Sequence, residues 1–297
     1  MLPVLIVCFK RPSDLEIMLT QLVESKRRVY VFIDRDTSGD TSLNKQVIYT
    51  AEAFLGRLEI FIQCSDLNLG VGAAVPTAIN WIQKTESHFI VLEDDCHLNK
   101  NGFDFLESTK HLLDGSVALI SVTSPWDLPN YSDREMTVSL SNYPLISGWA
   151  TSARNWRRIS KFIGKKTPYA VSIMGALRRP RNATAISFFL AAHIRNHRGS
   201  IGAWDCTLSL GMLLNGECAL VPDVTMVTNT GRDSVAAHTK PKTGEDTYYR
   251  IASLKYPNQT ISFSTVERKL TNRAIESRIL GMRKRHLLSA VKAAIYL

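Results

Sequence analysis

The feature that most constrains this chain is a series of short apolar runs in its first hundred residues, separated by segments of helical spacing. Continuous, β-branched runs lie at 3–9 (PVLIVCF), 29–33 (VYVFI) and 89–92 (FIVL), and a further strand is expected at 58–63. A run with no polar alternate face must be covered on both sides, the condition of a strand inside a parallel sheet. Between them, Arg11-Pro12-Ser13-Asp14 marks a turn and helix start, and Leu15, Met18, Leu19 and Leu22 recur at helical spacing. A second helical stretch is expected around 47–55. Asn68-Leu69-Gly70-Val71-Gly72 opens a third through Ala78, Ile79 and Ile82. Strand, helix, strand with short links predicts an α/β, Rossmann-like, doubly wound sheet. In such sheets ligands sit outside the carboxyl ends of the strands. Asp34 and the Glu93-Asp94-Asp95 cluster both fall at such ends.

After about residue 100 the pattern changes. Strands are expected at 117–122, 138–140 and 219–221, and helices at 153–163 and 203–214. The last thirty or so residues read as a basic amphipathic helical region. The division expected is one domain at 1–265, with a ligand-binding half at 1–100 and a second half at 101–265 sharing one core, followed by the helical region at 266–297.

Charge is distributed unevenly. The chain carries a formal +9, yet residues 154–198 hold a net +11 with no acid and residues 266–297 a net +6, leaving −8 elsewhere. Such asymmetry points to an anionic partner or to solvated basic faces. Five cysteines (Cys8, Cys64, Cys96, Cys206, Cys218) form no CxxC pair and read as free thiols in a reducing compartment, which fits the cytoplasm. No apolar run approaches the roughly 18 residues of a spanning helix, and no secretory leader is expected. No helix-turn-helix, zinc spacing or RNP-like pattern is present, so nucleic acid is not an expected partner.

Three consecutive acids at the end of an apolar strand raise one another's pKa or recruit a cation. A hard divalent ion, Mn²⁺ or Mg²⁺, suits their oxygen ligands, with substrate phosphates and water completing the shell. The alternative is that Asp94 or Asp95 caps the helix after Asn99.

Taken in order, the segments IVCFKRP (6–12), the strand ending in Asp34, NLG at Asn68, LEDDCHLN (92–99), GWATSARNW (148–156), AWDCTLSLGMLLNG (203–216) and VPDVTMVTNTGRDSVAAHT (221–239) resemble GT-A fold glycosyltransferases. The resemblance is to the family-2-like kind of bacterial surface-polysaccharide synthesis and, more distantly, to N-acetylglucosaminyltransferase I. It implies a GT-A fold with a mixed central sheet and a sugar moved from a nucleotide-sugar donor, UDP-sugar favoured, to a glycan or lipid-linked acceptor. It also implies site roles. Arg11 and Asp34 contact the nucleotide, and Asn68 and Gly70 shape a turn near the donor. Glu93 and Asp94 orient the sugar, the ribose or metal-bound water. Asp95 is the direct metal ligand, and His238 completes the metal or phosphate site or is a surface histidine. Asp205, beside Trp204, matches the base that takes the acceptor's hydroxyl proton in inverting transfer, or it serves as a helix N-cap. Trp149 and Trp204 belong to the acceptor platform, or Trp149 to the core. The sequence departs from the family pattern at Ala73 and Ala74, where a basic residue is usual, and at Ser152 and Ala153.

Two other classes share some of these features. A sugar nucleotidyltransferase would need a Gly-rich basic loop after the first strand, where this chain has Phe9-Lys10-Arg11-Pro12. A non-enzymatic membrane- or nucleic-acid-binding protein would explain the charge alone. The 266–297 region suits an amphipathic helix docked on anionic lipid or one packed on the domain.

Overall fold

The computed structural model describes residues 1–37, 41–115, 117–125, 136–163, 183–197 and 204–231, together with the single positions 174, 277 and 281. His238 and the 266–297 region therefore lie outside the described residues, apart from Ser277 and Gly281, as does much of the 154–198 tract.

The described strands are β1 (Val4–Cys8), β2 (Val29–Ile33), β3 (Ile60–Cys64), β4 (His88–Glu93), β5 (Cys96–Leu98), β6 (Val117–Ser121), β7 (Val138–Ser141), β8 (Trp149–Ser152), β9 (Cys218–Pro222) and β10 (Val227–Asn229). The helices are α1 (Pro12–Val23), α2 (Ser42–Glu52), α3 (Val71–Ile82), α4 (Lys100–Thr109), α5 (Ala153–Ile159), α6 (Ala183–His197) and α7 (Trp204–Asn215), with a short 3₁₀ turn at Lys110–Asp114. Eight strands form one mixed sheet in the order β3-β2-β1-β4-β8-β6-β9-β7, and β5 and β10 make a separate antiparallel ribbon. The fold is thus α/β and Rossmann-like with a mixed central sheet, the architecture that the resemblance implied.

The apolar runs are explained by what covers them. In β1, Leu5 and Val7 belong to a core on one face, while Val4, Ile6 and Cys8 belong to a core on the other. Helices α3, α5, α6 and α7 fill the first face, and α1, α2 and α4 the second. A strand sandwiched this way has no polar alternate, because neither side meets water. Edge strand β3 is only partly buried, with Phe61 exposed.

The strands β1, β2 and β4 run parallel in direct register, Val4 beside Val29 and Ile90. Their carboxyl ends therefore share one edge of the sheet. Next to β4, β8 runs antiparallel, with Trp149 opposite Val91. The ribbon then brings residues 227–229 back alongside 96–98, directly after the acidic turn.

Candidate active site

At the shared edge, the chain ends of β1 and β4 are tied together. The Asp94 N–H donates to the Val7 carbonyl at 3.0 Å, and the Phe9 N–H donates to Asp94 Oδ2 at 2.8 Å. Arg11, just before α1 and only 8% exposed, lies 3.8 Å from Asp94 Oδ1 and 3.9 Å from Asp14 Oδ2. Its guanidinium is engaged with the acidic turn itself, so within this structure it compensates carboxylate charge.

Asp34 occupies the position expected, immediately after β2, but its carboxylate is spent inside the protein. Oδ1 accepts from the Leu69 N–H at 2.8 Å and from the Ser65 hydroxyl at 3.0 Å; Oδ2 accepts from the Gly70 N–H at 2.9 Å. Asn68 Oδ1 accepts from the same Gly70 N–H at 3.0 Å. Gly70 stands at the start of α3 with φ +65° and ψ 163°, backbone that only glycine adopts without strain. Asp34 and Asn68 therefore set the shape of the turn that opens α3. Sequence reasoning missed Asn44, whose Nδ2 bridges the Phe9 carbonyl at 2.7 Å and the Asp34 carbonyl at 2.8 Å and so locks the β1 and β2 loops together.

The acidic turn is not a cap. Asn99 caps α4 itself, its side chain accepting from the Gly102 N–H at 2.9 Å, and this removes that alternative for Asp94 and Asp95. What remains is an electrostatic cluster. Burial, then Asp95, Asp94 and Asp205, push Glu93 up to about 8. Burial is also the largest cause for Asp94, pushed up to about 7 despite the Phe9 N–H and Arg11. Asp95 is raised mainly by burial, against a hydrogen bond from Cys96 and the charge of Arg11. The Cys96 thiol is itself raised by burial and by Asp95 and Glu93, so it stays protonated and donates to Asp95 Oδ1 at 3.1 Å.

Asp205 lies in the first turn of α7, one position beyond the helix start, rather than at an N-cap. There a carboxylate is favoured by the helix dipole. It is near enough to Glu93 to raise that group's pKa, so the fold brings together acids that are far apart in sequence. The buried pair His193 and Thr207, 3.0 Å apart, joins α6 to the same first turns of α7.

The tryptophans lie in the interior. Trp149 is 1% exposed and Trp204 3% exposed; their ring centroids are 6.4 Å apart, and Trp156 lies 6.2 Å from Trp149. These indoles belong to the core on the α3, α5, α6 and α7 face of the sheet, which suits the core reading of Trp149. The Trp156 indole N–H donates to Asn80 at 2.8 Å, which ties α5 to α3.

Among the described residues no three His, Cys, Asp or Glu side chains form a ready-made metal cage. The donor set nonetheless fits a hard divalent cation. Mg²⁺ and similar ions take one or two carboxylates and leave the remaining positions to water and phosphate. Glu93 and Asp95 are oxygen donors that burial pushes toward the protonated form, so a cation bound beside them would favour their ionised, ligating form.

No protein-family model matches the sequence, and no curated protein matches it. Solved structures with a similar fold include a mannosyltransferase from Pyrobaculum calidifontis in complex with GDP-mannose and Mn²⁺, at 16% identity and a TM-score of 0.38. The match covers 56% of this chain and 48% of that one. A Bacillus anthracis protein assigned as a glucose-1-phosphate thymidylyltransferase, in complex with sucrose, matches at 10% identity and a TM-score of 0.33, over 57% of this chain and 77% of the other. The apo structure of the bifunctional glycosyltransferase WbbM also matches at 10% identity and 0.33, over 55% and 33% respectively. This chain thus spans about half the length of the mannosyltransferase and a third of WbbM.

Proposed function

We propose that this chain is a nucleotide-sugar-dependent glycosyltransferase of inverting stereochemistry. The observation that supports it most is the buried Glu93-Asp94-Asp95 turn at the carboxyl edge of the parallel strands, with Asp205, in the first turn of α7, among the charges that raise Glu93. Leaving-group and base chemistry require such a pair of acidic centres on one site.

In this reading Asp95, with Glu93 beside it, holds Mn²⁺ or Mg²⁺. When bound, the ion supplies Lewis-acid stabilisation to the departing diphosphate. Asp94, fixed by Phe9 and Arg11, sets the turn and orients the ribose or metal-bound water. The loop that Asp34 and Asn68 hold presents the backbone around Gly70 to the donor; Asp34 acts through that loop rather than through a free carboxylate. Asp205 takes the acceptor's hydroxyl proton as its oxygen attacks the anomeric carbon and the bond to the diphosphate breaks on the opposite face. His238 belongs to the metal or phosphate site.

The donor is a UDP-sugar and the acceptor a glycan or lipid-linked glycan of a surface polysaccharide, as the ordered sequence motifs imply. Among the described residues no helix is long and apolar enough to cross a membrane. The basic 266–297 region would dock the enzyme on the inner face of the cytoplasmic membrane. Sedimentation with anionic vesicles checks this, since full-length protein should pellet and a chain lacking 266–297 should not.

The defining experiment is incubation with Mn²⁺ and a panel of UDP-, GDP- and dTDP-sugars, reading donor hydrolysis and transfer. Release of nucleoside diphosphate in a metal-dependent manner supports the reading. Pyrophosphate release from a nucleoside triphosphate and a sugar 1-phosphate, with no donor turnover, would instead show a nucleotidyltransferase.

A further inference from the structure

The segment Asn229-Thr230-Gly231, where β10 ends, closes on Asp95 from several sides. The Asn229 Nδ2 donates to Asp95 Oδ1 at 3.2 Å and reaches the Cys96 sulfur at 3.4 Å. The Thr230 N–H donates to the Asp95 main-chain carbonyl at 2.9 Å. The Thr230 hydroxyl lies 3.0 Å from Asp14 Oδ1, which His97 Nε2 approaches to 2.7 Å. The segment is thereby fastened to α1 as well as to the acidic turn.

Two details show that Asp95 is the object of this arrangement. The Gly231 N–H donates to Asn229 Oδ1 at 2.9 Å. That bond uses the acceptor end of the amide and directs its donor end at Asp95. In addition, a Cβ placed on Gly231 would lie 2.0 Å from Asp95 Oδ2 and 3.0 Å from Asn229 Oδ1. Any other residue at 231 would have to displace the carboxylate.

We propose that Asn229 and Gly231 are positioning residues that hold the Asp95 carboxylate in one orientation for a divalent cation. This rests on Asp95 being the metal ligand under the proposed function. Both residues act through Asp95, as outer partners of ligating carboxylates do.

The test is a Mn²⁺ titration of the full chain, stripped of metal, alone and with UDP, following the electron paramagnetic resonance signal of free Mn²⁺. Asn229→Ala and Gly231→Ala should each bind Mn²⁺ about 10- to 100-fold more weakly than wild type, the range seen for such outer partners. Thr228→Ala, on the opposite side of the ribbon by strand alternation, should bind like wild type. Circular dichroism and thermal melts establish that each variant is folded; should Asn229→Ala fail to fold, Asn229→Ser, too short to span to Asp95, takes its place. Folded variants at both 229 and 231 that bind Mn²⁺ within about threefold of wild type would overturn the positioning role. A wild-type chain that binds no Mn²⁺, with or without UDP, would overturn the metal reading of Asp95 beneath it, which is a separate outcome.

Discussion

The Asp34 carboxylate accepts three hydrogen bonds, from Ser65, Leu69 and Gly70, and is 4% exposed. Removing it leaves the Leu69 N–H without its acceptor and the Gly70 N–H with Asn68 Oδ1 alone. Hydrogen bonds to a charged group contribute about 1.5–3 kcal/mol each, and they are not additive. Asp34→Ala is therefore expected to destabilise the protein by about 3 kcal/mol in urea unfolding; a loss under about 1 kcal/mol would contradict the structural role. The position of Asp34 at a strand end was legible in the sequence. Its partners were not, because two are backbone N–H groups and the third is the Ser65 hydroxyl, all more than thirty residues away along the chain. Arg11 is a similar case, since only the folded chain shows its cation against Asp94 and Asp14. The influence of Asp205 on Glu93 was likewise beyond spacing rules, and a shared site for the two entered through the resemblance alone.

Elements were legible in proportion to the strength of their hydrophobic pattern. β1, β2 and β4 follow from continuous apolar runs, and α1 from its apolar spacing with Pro12 in the first turn. β8 (WATS) has no such pattern, because long-range pairing between β4 and β6 makes it a strand. Helix α6 was not foreseen, and the three-residue strands of the β5–β10 ribbon are too short to carry a period. Helix α4 shows how a local signal can be misattributed. Three acids precede it, yet Asn99 supplies the cap. Asn99→Ala is expected to cost about 1 kcal/mol, read as a lowered thermal midpoint, whereas Asp94→Ala should not unravel the first turn of α4. Equal fraying of α4 in both variants would contradict that assignment.

Across the whole molecule, two sets of carboxylates act on stability with opposite sign. Burial would raise Glu107, but the Leu2 N–H, Arg27 and Lys110 outweigh it and hold the group below its ordinary value of 4.5. Its contribution is present above that value and is lost as pH falls through the lowered folded one. Glu93 and Asp94 are raised, so from their ordinary values of 4.5 and 3.8 up to about 8 and 7 the folded state binds more protons than the unfolded state. Without metal, the acidic turn should therefore destabilise the fold progressively as pH rises from about 5 to about 8. A cation compensating that charge removes the penalty, so the rise in thermal midpoint on adding Mn²⁺ should be larger at pH 8 than at pH 6. An equal rise at both, or none, would contradict the description of the turn as a cluster of buried acids whose charge Arg11 offsets only in part.

The most direct measurement is the transfer rate of Asp205→Asn with saturating donor, acceptor and Mn²⁺, beside its affinity for the nucleoside diphosphate. Loss of a general base should lower kcat by about 10²- to 10⁴-fold while nucleotide affinity stays near that of wild type. Transfer at the wild-type rate would show that Asp205 is not the base and that its approach to the acidic turn serves some other end.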